Sequence, residues 1–178
     1  GFLLGSPSMD IRIKAVVTVV MYDIPEINNY VGEESWKKTV IQLKKDRWND
    51  VDNGHQEYPI FYEPDREYED GYYPSTPSKD NDEIRSFYST KRGHHSRATG
   101  GFTLTSLFSI QNFLVTTNIE KISPRPILFI TGEKADSKPS TIEVFFDAKE
   151  PKEILIVGNA SHIDLYDNIE LIPFDNII

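Results

Sequence analysis

The stretch RPILFITGEKADSKPSTIEVFFDAKEPKEILIVGNASHIDLYD, residues 125 to 167, decides the fold. It contains two short apolar runs, at 125–131 and 152–158. Both are rich in β-branched residues and neither clearly alternates, the pattern of strands buried on both faces of a parallel sheet. Between them STIEVFFDAKE, 140–150, reads as a helix, with Ser140 or Thr141 as its cap and Ile142, Phe145 and Phe146 on one face. Strand, helix and strand in that order make a right-handed crossover unit. A third run of the same kind, IKAVVTVVM at 13–21, supplies a further parallel strand. The predicted class is α/β, with parallel strands joined by crossover helices.

In such a sheet, reactive groups collect beyond the carboxyl ends of the strands, where loops are free of the packing the strands need. His162 stands just past Gly158, and Glu133 and Asp136 stand just past Gly132. An acid after one strand and a histidine after the next is the chain order of acid and base in a nucleophile-acid-histidine triad. The acid orients the imidazole and stabilises its charged form, while the histidine takes the proton of a nucleophile. Acids after strand-end glycines are also common turn residues, so the spacing alone admits a purely structural role.

Several runs together resemble the α/β-hydrolase superfamily, and within it the bacterial group related to dienelactone hydrolases and polyketide transferases. They are FTLTSLFSIQNF (102–113), ISPRPILFITGEKADS (122–137), AKEPKEILIVGNASHIDLYD (148–167) and IPFD (172–175), in that order. RIKAVVTVVMYD (12–23) resembles the strand after the nucleophile-bearing helix of such enzymes, and YSTKRGHHS (88–96) resembles part of their excursion. The resemblance covers nearly the whole chain and implies the C-terminal portion of the fold. It makes His162 the general base, Asp136 the first choice for the orienting acid and Glu133 the alternative. Asp164 and Asp167 are assigned to fixing the loop or capping the next helix.

The resemblance fails at the front of the chain. Enzymes of this kind carry their nucleophile in a glycine-flanked elbow about one helix before the strand matched by 13–21, and here about a dozen residues precede it. GFLLGSPSMD offers Ser6 and Ser8 but no elbow: Gly5-Ser6-Pro7-Ser8 lacks the glycines that relieve the tight turn, and Pro7 restricts the residue before it. Residues 1–10 are therefore expected to be a disordered start or a cloning remnant. Five of the usual eight strands, the nucleophile and half of the oxyanion hole would lie outside the chain.

The segment 22–122 reads as a cap-like excursion, and 123–178 as a strand-helix-strand-helix unit, within a single partial domain spanning 1–178. EESWKKTVIQLKKDRW (33–48) places Trp36, Val40, Leu43 and Arg47 at helical spacing, with basic residues toward the C-terminal end. Residues 49–82 are rich in Tyr, Pro, Asp and Gly without apolar periodicity and are expected to be irregular. Helices are expected at 82–90 and 103–116, with a loop at 91–101. Tyr58, Tyr62, Tyr68, Tyr72 and Tyr73 could line a pocket or pack as a lid.

Composition bounds the function. The 178 residues are enough for one domain that buries roughly two-thirds of the surface its unfolded chain exposes. With 28 acidic against 19 basic residues the net charge is −9, which opposes nucleic acid or an anionic membrane surface as partner. Cysteine is absent, which removes disulfides, thiolate metal sites and cysteine nucleophiles from this chain and suits a reducing cytoplasm. The pair His94 and His95, with His55, lacks the i, i+4 spacing of a helical metal site, so neither metal nor cofactor is expected. The expected partner is a small acyl substrate, and an open sheet edge invites self-association. Three function classes follow: part of an ester, thioester or related acyl hydrolase, an acyltransferase using the same triad, or an inactive remnant acting as an interaction module.

Overall fold

The structure, a computed structural model, describes residues 2–23, 33–58, 66–68, 71–73, 82–98, 101–113 and 116–177. Two compact units divide the chain, one formed by Gly1–Trp36 with Ile110–Ile178 and the other by Lys37–Ser109. The second falls inside the segment read as an excursion.

The first unit is built on a parallel three-stranded sheet of β1 (Val16–Val19), β4 (Ile127–Gly132) and β5 (Lys152–Val157), in the order β1-β4-β5. Val16 pairs with Ile127, and Ile127 with Lys152, so the three predicted strands are neighbours with their carboxyl ends together. Side chains of β4 alternate between two cores, as the two-residue period of a strand requires. Ile127 and Phe129 join Leu4, Met21, Ile119, Ile122, Val144 and Ala148 on one face. Ile130 joins Val20, Ala135, Ala160 and Leu165 on the other. Burying a side chain such as Phe129 contributes about 1.5–3 kcal/mol.

Of the three strands only the central one is buried along most of its length, with Leu128 half-buried and its other five residues buried. β1 alternates, with Val17 42% and Val19 37% exposed, and Ile156 on β5 is 45% exposed. The uninterrupted apolar runs therefore overstate burial at the outer strands.

Helix α4 (Lys138–Asp147) links β4 to β5. Its N-cap is Ser137, not Ser140 or Thr141, and a proline occupies its first turn. Ser140, Thr141 and Val144 form the buried face, where the Thr141 hydroxyl lies 3.4 Å from the Met21 carbonyl and 3.3 Å from that of Ser137. Phe145 packs against the core, whereas Phe146 is 72% exposed, so the predicted apolar face is rotated. At the other end the Lys152 ammonium donates to the carbonyls of Phe145 at 2.8 Å and Ala148 at 2.6 Å. A cation there satisfies carbonyls that have no partner within the helix.

The expectation of a disordered start is corrected. Phe2–Gly5 forms a 3-10 turn, and Leu4 is buried in the core. Arg125 anchors the segment through its guanidinium, which donates to the carbonyls of Pro7 at 2.6 Å, Asp10 at 2.9 Å and Ile13 at 3.1 Å. A buried leucine and a carbonyl-binding arginine more than a hundred residues away are invisible to local patterning. Ser6 is exposed in this turn, where its carbonyl accepts from the Met9 and Asp10 N–H groups.

The first helix, α1, spans Glu33–Asn53, with Lys37 onward in the second unit, and is five residues longer than its periodic stretch. Its basic residues consequently lie in mid-helix, and the last turn has none. Leu43 is buried, while Ile41, Trp48 and Val51 are exposed. The region expected to be irregular includes an antiparallel hairpin of β2 (Arg66–Tyr68) and β3 (Gly71–Tyr73). Helices α2 (Asp82–Tyr88) and α3 (Ser106–Asn112) are shorter than expected. Tyr62 and the side chains of Tyr68, Tyr72 and Tyr73 lie outside the described residues, as does that of Trp36, and Tyr58 is bonded through its hydroxyl to the Gly101 carbonyl. Short helices α5 (Asp164–Asp167) and α6 (Phe174–Ile177) close the chain in the first unit.

Candidate active site

Two loops leave the carboxyl ends of β4 and β5 and are bonded to each other along their length. The Glu133 N–H donates to the Val157 carbonyl at 2.8 Å, and the Lys134 N–H to the Ala160 carbonyl at 2.9 Å. In return the Asn159 N–H donates to Glu133 Oε2 at 2.8 Å. Asn159 has φ +60°, a left-handed conformation that asparagine tolerates better than most residues. This turn reverses the chain after β5 and carries Ala160 under the β4 loop, where Gly132 leaves it room.

The result brings His162 to Asp136. The imidazole is buried, 3% exposed, and its Nδ1 lies 3.5 Å from Asp136 Oδ1. Asp136 is half exposed and stands beyond the 2.7–2.9 Å typical of a charge-assisted hydrogen bond. Ser137 is nearer: its Oγ is 2.8 Å from Nδ1, and the residue is fully buried. The other ring nitrogen, Nε2, is 2.9 Å from the Tyr166 hydroxyl. Tyr22, just beyond β1, stacks on the ring at 4.8 Å between centroids and 27° between planes. All three strands thus send a residue from their carboxyl ends to one imidazole.

Glu133, the alternative acid, is exposed and bonded to the Asn159 backbone, where it ties the two loops together. Asp164 Oδ2 accepts from the Ser161 N–H at 3.0 Å, and the Asp164 N–H donates to Ser161 Oγ at 3.1 Å, a reciprocal box at the start of α5. No sequence pattern singles out Tyr22 or Ser137 for this site, and Tyr166 is marked only by its place four residues after His162. In the second unit, His55 and His95 are exposed and His94 is half-buried, and they engage nearby backbone groups of Asn53, Arg97 and Tyr88 respectively.

A buried imidazole with one nitrogen facing a carboxylate and a hydroxyl, and the other facing a hydroxyl, is equipped to exchange a proton at Nε2. Its ring is held by packing as well as by hydrogen bonds.

The fold is α/β-hydrolase-like. The chain aligns with the structure of GrgF, an α/β hydrolase from a Penicillium species, over 98% of its length and 57% of the GrgF chain, at TM-score 0.66 and 18% identity. It is 38% identical to PA2218 of Pseudomonas aeruginosa over 99% of the chain and 48% of that protein. The crystal structure of PA2218, described as a hypothetical protein, superimposes at TM-score 0.83, covering 98% of this chain and 54% of that one. YcjY of Escherichia coli is 29% identical over 94% of the chain and 54% of its own length. The chain thus spans about half the length of the curated relatives it matches. No family model matches it. Among the described residues, no helix is long and apolar enough to cross a membrane.

Proposed function

We propose that this chain contributes the acid and the general base of a nucleophile-acid-histidine triad that acts on ester, thioester or related acyl bonds. The observation that carries the proposal is the approach of Asp136 Oδ1 to Nδ1 of the buried His162, across the ends of adjacent strands. His162 takes the nucleophile's proton at Nε2 and later returns it to the leaving group. Asp136 favours the tautomer with hydrogen on Nδ1 and stabilises the imidazolium that forms. The nucleophile is supplied from outside these residues, since the sequence contains no glycine-flanked elbow. The sequence runs quoted above favour the dienelactone hydrolase-like group over other branches, with a small acyl compound as substrate and the cytoplasm as the site of action.

The test is covalent labelling. The full-length protein should react with a fluorophosphonate if its nucleophile is serine, or with an iodoacetamide if it is cysteine, and should give a burst with an activated aryl ester. His162→Ala should cut turnover by about 10⁴-fold, because triad members act as a unit. A full-length protein that neither labels nor turns over such esters would leave the interaction module as the better reading.

A further inference from the structure

Ser137 occupies the N-cap position of α4, yet its side chain makes no cap bond. An N-cap serine that bonds its helix typically contributes about 0.5–2 kcal/mol, and serine is among the residues best suited to do so. Here the hydroxyl is fully buried and stands 2.8 Å from His162 Nδ1. A local rule given up at a fully buried position points to a function gained there.

The two groups facing Nδ1 differ in kind. A neutral imidazole carries its hydrogen on one nitrogen and a lone pair on the other. The carboxylate of Asp136, 3.5 Å away, accepts and cannot donate while ionised, so it biases the hydrogen toward Nδ1. Ser137 Oγ, within hydrogen-bond distance, is the acceptor on which that N–H can close. The Tyr166 hydroxyl at 2.9 Å then donates to the lone pair of Nε2.

We infer that Ser137 is the positioning residue of His162: its Oγ accepts the Nδ1 hydrogen and fixes both tautomer and ring orientation, while Asp136 acts on the ring through its charge. The inference rests on the triad reading for its catalytic consequence but not for its structural one. Ser137 touches no reacting atom.

The experiment pairs a spectroscopic and a kinetic readout in the full-length protein. Ring ¹⁵N shifts of His162 should report hydrogen on Nδ1 in the natural sequence. In Ser137→Ala they should move toward a mixture of tautomers, and kcat with an activated ester should fall about 10-fold, the worth of one hydrogen bond, with KM changed less than about 2-fold. Ser137→Thr, which keeps a hydroxyl, should restore both. If Ser137→Ala fails to fold, Ser137→Gly carries the test, since glycine is tolerated at an N-cap. Unchanged ¹⁵N shifts in Ser137→Ala, together with a tautomer shift in Asp136→Asn, would overturn the inference and leave Asp136 as the direct partner. A tautomer shift in a protein that forms no acyl-enzyme would instead uphold Ser137 and remove the triad reading.

Discussion

Gly132 packs against Ala160 so closely that a β-carbon added at Gly132 would stand 2.3 Å from the Ala160 carbonyl oxygen and 2.8 Å from the Ser161 carbonyl oxygen. Both obstacles are backbone, and the same Ala160 carbonyl is already held by the Lys134 N–H. The loop bearing His162 can lie across the end of β4 only because residue 132 lacks a side chain.

Gly132→Ala should therefore destabilise the protein by about 1–3 kcal/mol, the usual cost of overpacking. The urea midpoint should drop at unchanged slope, and the ring signals of His162 should shift because its loop is displaced. Gly158, where an added β-carbon meets nothing within 4 Å, is the matched control and should tolerate alanine far better.

Arg125 gathers carbonyls from two stretches of chain. Besides Pro7, Asp10 and Ile13 it donates through Nε to Ile122 at 3.0 Å. Arg125→Ala should cost about 2–4 kcal/mol, from several charged hydrogen bonds lost and partly buried carbonyls left behind. Limited proteolysis should then cut within residues 2–12 faster than in the parent, and the N-terminal turn holding Leu4 should exchange its amide hydrogens early. A uniform loss of protection across β4 and β5 instead would mean that Arg125 supports the sheet and not the start of the chain.

Thr131, on the central strand, is fully buried, and its hydroxyl has no hydrogen-bond partner. Removing an unsatisfied hydroxyl while keeping the side-chain shape should stabilise, so Thr131→Val is expected to raise stability by about 1 kcal/mol, read as a higher thermal midpoint.

Tyr166 holds the nitrogen that the proposed reaction needs. Its hydroxyl competes with the nucleophile for the lone pair of Nε2, and a neutral hydrogen bond is worth about 1 kcal/mol net. Tyr166→Phe should then raise kcat/KM in the full-length protein by about 5-fold with activated esters. A fall of 10-fold or more would show that the hydroxyl assists the reaction.

The strand-helix-strand order was legible because its signals are local. A buried parallel strand needs β-branched, uninterrupted apolar residues whatever surrounds it, and 125–131 and 152–158 have them. The same locality placed His162, Glu133 and Asp136 at strand ends, since a glycine after an apolar run marks where pairing stops. Which acid meets the imidazole was not legible. Both acids follow Gly132 within four residues, and they part only in the fold, where Glu133 accepts from the Asn159 N–H and Asp136 faces His162.

By itself, then, the sequence determined the class of the fold, the neighbouring order of the apolar runs along the chain and the residue types at their ends, all properties carried by periodicity and turn chemistry within a few residues. The tertiary structure alone decided that Leu4 enters the core, that Ser137 turns from its helix to His162, and that Tyr22 stacks on the ring. Those contacts join residues distant in sequence, or depend on the rotation of a helix about its own axis, and no local pattern encodes either: packing chooses them once the sheet brings three strand ends together.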